Sequence, residues 1–126
     1  MRGAFVLSGN PDLYRRVEAV LVEEGGFAAS GQVAQVGEDQ RRLTVYGELN
    51  AAFRADLELG PTQIHGTGTP PEVPFENACW VECREDHVFA DWMRLLEARL
   101  NERLWVLDGD GVLWSVSEMD PSRIKL

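Results

Sequence analysis

Two aspartates one residue apart, Asp108 and Asp110, stand at the end of the apolar run Trp105-Val106-Leu107. Carboxylates held that close can divide a nucleophile's and an acid's work between them, or ligate a divalent cation. Other reactive side chains are few. His65 and His87 are the only histidines, and Cys79 and Cys83 the only cysteines. Thr67 and Thr69 follow His65 in a segment rich in Gly and Pro. A shared site of His65 and His87 with Cys83 is conceivable, but a loop or surface histidine without partners is the commoner case.

The run Val106-Leu107-Asp108-Gly109-Asp110-Gly111-Val112-Leu113 resembles the first motif of haloacid-dehalogenase-type phosphatases. That resemblance covers about eight residues and implies Asp108 as nucleophile, Asp110 as acid/base, and magnesium. Its context is missing: the motif should end the first strand of a large parallel α/β domain, with a catalytic lysine and further acids downstream. Here 12 residues follow Trp114, and Lys125 is the only lysine. A calcium loop fails too, because Glu118 and Asp120 do not supply the bidentate twelfth ligand. No serine elbow, phosphate loop or dinucleotide fingerprint occurs. Gly66-Thr67-Gly68-Thr69 runs into Pro70-Pro71, which cannot open a helix with free N–H groups. The sequence therefore assigns no catalytic residue, no metal ligand and no cofactor, and leans away from an enzyme.

The same stretch has a structural reading. Two β-prone runs flank a Gly/Asp cluster, and the letters mirror about Gly109-Asp110. This predicts a hairpin with a two-residue type II′ loop at Gly109-Asp110. Leu107 then faces Val112 and Trp105 faces Trp114. A type I′ loop at Asp110-Gly111, with Leu107 opposite Trp114, is the competing register. In either case both aspartates are turn residues. Replacing both by Asn is expected to change stability by at most about 1 kcal/mol.

Those turns must sit on a scaffold. A chain of 126 residues fits one domain spanning 1–126. The formal net charge is −9, with −3 on residues 1–63 and −6 on residues 64–126. Such a balance argues against nucleic acid and suits solubility or a basic partner. No apolar run is long enough for a membrane span, and the start lacks a signal-peptide core. A cytoplasmic location is expected. Eleven of twelve basic residues are Arg, a skew pointing to a GC-rich, bacterial genome. On a strand Cys79 and Cys83 lie roughly 13 Å apart, too far for a disulfide.

Along the chain, 4–8 reads as a strand, and Asn10-Pro11-Asp12 as the start of a helix carrying Leu13, Val17, Val20 and Leu21. Gly25-Gly26 ends it. Strands follow at 32–36 and 43–47. The alternation of Phe53, Ala55, Leu57 and Leu59 predicts another strand, with a helix from Asn50-Ala51-Ala52 as the alternative. Residues 60–77, with Pro61, Pro70, Pro71 and Pro74, read as a long loop. A strand at 78–84, a second helix striped by Phe89, Trp92, Met93, Leu96 and Leu100, and the hairpin complete the domain. Residues 123–126 suggest a short last strand.

The expected fold is α+β. It is a two-layer sandwich of one mostly antiparallel sheet with two helices on one face, built from two βαββ units at 4–47 and 78–116. Two helices cannot cover Tyr46, Trp80, Trp105 and Trp114, so these mark an expected interface and a homodimer. The leading function is a small acidic protein-interaction module, such as an inhibitor or immunity-type protein binding a basic partner. The alternative is a small enzyme or ligand-binding protein with its site under the 60–77 loop, at His65, Thr67 and Thr69.

Overall fold

The computed structural model describes residues 2–72 and 75–126. Pro74, read above as part of the loop, lies outside the described residues. Among the described residues three α-helices accompany an eight-stranded mixed sheet, mostly antiparallel, so the chain is α+β. The strands are β1 (Gly3–Leu7), β2 (Phe27–Ala29), β3 (Val33–Val36), β4 (Leu43–Tyr46), β5 (Gln63–His65), β6 (Ala78–Cys83), β7 (Trp105–Leu107) and β8 (Val112–Ser115). The helices are α1 (Leu13–Glu23), α2 (Ala51–Leu59) and α3 (Asp86–Leu100). The sheet order is β2-β3-β4-β6-β1-β7-β8-β5, and only β5 runs parallel to its neighbour, β8.

Local signals account for α1 and α3. Leu13, Val17, Val20 and Leu21 are buried on one stripe of α1. Its end is fixed by Gly26, whose N–H reaches back to the Leu21 carbonyl, while Gly25 turns at φ +96°. Helix α3 buries Phe89, Met93, Leu96 and Leu100, and both helices share one apolar cluster with Ala4, Val6, Val45 and Val81.

The stretch 50–59 is a helix, which corrects the predicted strand. The Asn50 side chain accepts the Phe53 N–H at 2.9 Å, an N-cap that the alternation of apolar letters obscured. Phe53 and Leu57 lie one turn apart on α2 and pack with Phe5, Leu7, Trp105 and Leu107. Because residues alternate along β1, this second cluster occupies the sheet face opposite α1 and α3. The predicted arrangement, with helices on one face only, is thereby corrected.

The two βαββ halves are not equivalent either. After α1 the chain enters the sheet at the far edge, on β2, and works inward to β4. After α3 it enters beside β1, on β7, and works outward. The first strand of each half is paired with strands of the other: β6 with β4, and β1 with β7. Residues 63–65, read as loop, add strand β5, while 123–126 run as a tail without strand pairing.

Candidate functional site

The Asp108 turn joins Leu107 to Leu113, Val106 to Trp114 and Trp105 to Ser115. Neither predicted register holds, because the loop has three residues, Gly109 to Gly111. Gly111 sits at φ +78°, the left-handed position that a three-residue loop with a bulge requires. Asp108 decides the register. Its Oδ1 accepts the N–H of Asp110 (2.9 Å) and Val112 (3.0 Å), and its Oδ2 accepts Trp114 Nε1 (3.0 Å) and the Lys125 N–H (3.3 Å). The carboxylate is buried, with its acceptor capacity taken by the fold. Asp110 is exposed. Among the described residues no three His, Cys, Asp or Glu side chains converge as a metal-holding group.

The shift by one residue sorts the tryptophans. Trp114 joins the cluster under α1 and α3, while Trp105 joins the cluster under α2. Both are buried, so neither offers interface surface, contrary to expectation. Trp80 is half-buried, stacked on Phe53 with centroids 4.7 Å apart and edge-on to Phe5 at 4.9 Å. Tyr46 is opposite Trp80 in the β4–β6 ladder and also half-buried. Burial, and then Glu82 beside it, raises the Tyr46 phenol above its ordinary pKa. Helix α2 covers Trp105 and packs on Trp80, α1 and α3 cover Trp114, and Tyr46 stays half-buried beside the bare part of the sheet.

His65, Thr67 and Thr69 do not form a common site. His65 stacks on Trp114 at 4.7 Å with a 19° tilt. Thr67 donates from its N–H (2.8 Å) and hydroxyl (3.0 Å) to Glu118, and its carbonyl accepts from Arg103 at 2.7 Å. These contacts fasten the segment to β8, to Glu118 after it and to Arg103 ahead of β7. Thr69 alone borders a cleft of about 590 Å3, beside Ser8, Asn10, Glu102 and Arg103. Ser8 Oγ donates to Glu102 at 3.0 Å, and Arg16 pairs with Glu102 at 2.8 Å, so the cleft's polar groups answer one another. His87 is exposed in the first turn of α3 and far in sequence and setting from His65. Cys79 and Cys83 are both buried on one side of β6 and free. Burial pushes the Cys79 thiol up to about 12, which keeps it protonated and inert.

Two further concave regions, each above 500 Å3, lie on the α2 side of the sheet. A groove of about 720 Å3 crosses the part that α2 leaves bare, lined by Gln35, Thr44, Tyr46, Glu82, Arg42 and Arg84 among others. Its charges are mixed, and its Arg2 is committed to Asp86 at 2.7 Å. The other, of about 520 Å3, lies at the C-terminal end of α2 against β1, β6 and β7. Phe5, Trp80, Leu59 and Leu107 give it apolar walls and Asp56 a carboxylate, while the carboxylate of Asp108, which also borders it, is turned to Trp114. The segment that carries α2 is acidic in sequence. Residues 48–76 contain Glu48, Asp56, Glu58, Glu72 and Glu76, all exposed, against one basic residue, Arg54. At the pocket's lip Leu59 is 83% exposed, the most exposed large apolar side chain described. The sequence hid this region: under a strand reading Leu59 belonged with Leu57 on the buried side.

Comparison with protein-family models, curated proteins and solved structures returns no match for this chain. No helix among the described residues is long and apolar enough to cross a membrane.

Proposed function

We propose that this chain is a protein-interaction module that holds a basic protein partner on the outer surface of α2. The observation that carries the reading is Leu59, 83% exposed within a segment bearing five exposed acids and one base. An exposed apolar side chain in an acid-rich segment suits a partner that carries the opposite charge. The acids speed encounter with a cationic surface, and the apolar side chain supplies contact area once it docks. An inhibitor or immunity-type protein shielding a basic partner, such as a toxin nuclease, is the concrete form.

The test uses paired baits. Wild-type protein and a Leu59→Asp, Glu58→Lys double variant are immobilised and offered the same source-cell extract at low and moderate salt. The expected result is a basic protein, identified by mass spectrometry, held by wild type, released by salt and lost from the variant. Proteins retained equally by both baits, or acidic ones only, would overturn the reading.

A second reading, a small-ligand protein, rests on the cleft beside Thr69. It requires a polar ligand able to displace the Ser8–Glu102–Arg16 contacts. Saturable chemical-shift changes confined to Gly9, Asn10 and Thr69 in a metabolite screen would favour it.

A further inference from the structure

We infer that the 520 Å3 pocket at the end of α2 receives one long cationic side chain, an arginine or lysine, from the basic partner. This rests on the interaction reading and assigns the residue that anchors it. The volume falls within the range of ligand pockets and amply exceeds one side chain. The walls suit the stem: Phe5, Trp80, Leu59 and Leu107 present aromatic and aliphatic surface that a methylene chain can cover. The rim suits the head: exposed Asp56 lines the pocket, and no basic side chain lines it among the described residues. The Asp108 carboxylate is engaged with Trp114 and the turn, so Asp56 is the acid free to meet the cation. Aromatic rings beside a carboxylate favour a cation over a neutral guest.

The pocket is built into the backbone. Gly3, Gly60, Gly109 and Gly111 line it and contribute no side-chain bulk. At Gly3 a Cβ would fall 2.5 Å from the Val81 carbonyl oxygen and 2.6 Å from the Trp80 ring, so the Trp80 indole lies where only glycine permits it. The groove of about 720 Å3 on the same face lacks this chemistry, because Arg2, Arg42 and Arg84 line it.

The experiment is an NMR titration of the full chain with acetyl-arginine-amide. The Trp80 indole and the Gly109 and Gly111 amides should shift saturably with millimolar affinity, and acetyl-glutamine-amide should leave them unmoved. Asp56→Asn, an exposed change that leaves the fold intact, should weaken binding about threefold to tenfold. Arg42→Ala should not weaken it. Shifts that never saturate, or equal affinity in Asp56→Asn, would overturn the inference. Spermidine binding far more tightly than the arginine probe would also overturn it, by making a free polyamine the occupant. Should the paired baits capture a basic protein through Leu59 while the arginine probe leaves the pocket unmoved, this inference fails and the proposed function stands.

Discussion

The indole N–H of Trp114 donates to the carboxylate of Asp108 at 3.0 Å inside the protein. The same carboxylate holds the backbone of Lys125, 17 residues further along, and the Gly109 N–H donates to the Lys125 carbonyl at 2.6 Å. One side chain thus sets the turn, seats a tryptophan and ties down the C-terminal tail.

Asp108→Asn should therefore destabilise the fold by about 2–4 kcal/mol, because an amide nitrogen must face donors that a carboxylate accepted. Asp110→Asn, on an exposed side chain, should stay within about 0.5 kcal/mol. Urea midpoints of the two single variants check this. It replaces the expectation that both positions tolerate Asn alike.

Leu57 and Leu59 should respond oppositely. Leu57 is 2% exposed and packs on the sheet, so Leu57→Ala should cost about 2–5 kcal/mol. Leu59→Ala should cost no more than about 0.5 kcal/mol. Thermal melts decide it. Equal costs would restore the strand reading, in which both residues share a face.

Gly26→Ala should destabilise by about 1–3 kcal/mol, the scale of overpacking. An added Cβ would fall 2.2 Å from the Gln35 carbonyl oxygen and 2.8 Å from that of Leu21. The turn from α1 into β2 is therefore pressed against β3, and chemical denaturation of the variant measures how tightly.

Stability should fall on the alkaline side. Burial raises the Cys79 thiol to about 12 and also raises Cys83, Tyr14 and Tyr46. In the unfolded chain thiols ionise near about 8.5 and phenols near about 10. Above those values the folded state binds more protons than the unfolded one, so the stability term decreases as pH rises. It is whole below about pH 8 and lost progressively toward about pH 12. Cys79→Ala should flatten that decline in urea midpoints measured from pH 7 to 10.5, whatever its cost at neutral pH.

The candidate site was legible only in part. Trp80 stood out as a strand aromatic in need of cover, and the acidic balance pointed to a basic partner. Asp56 and Leu59 did not stand out, because their place depends on whether 50–59 coils or extends. Nine residues are too few for periodicity to decide: Phe53 and Leu57 fit both periods.

By itself the sequence determined α1, α3, β1, β3, β4 and β6, since apolar stripes and the glycine stop of α1 act within a few residues. The tertiary structure decided the rest. Helix α2 has an Asn50 cap, but much of its apolar face is buried against β1 and β7, distant in the chain. The hairpin register followed not the mirrored letters but a carboxylate shared with Lys125. Strand order, with β6 between β4 and β1, rests on pairings among segments far apart in sequence. Backbone ladders carry no letter code for their partner. Only the mutual burial of both sheet faces selects one arrangement, and that quantity exists only once the chain has folded.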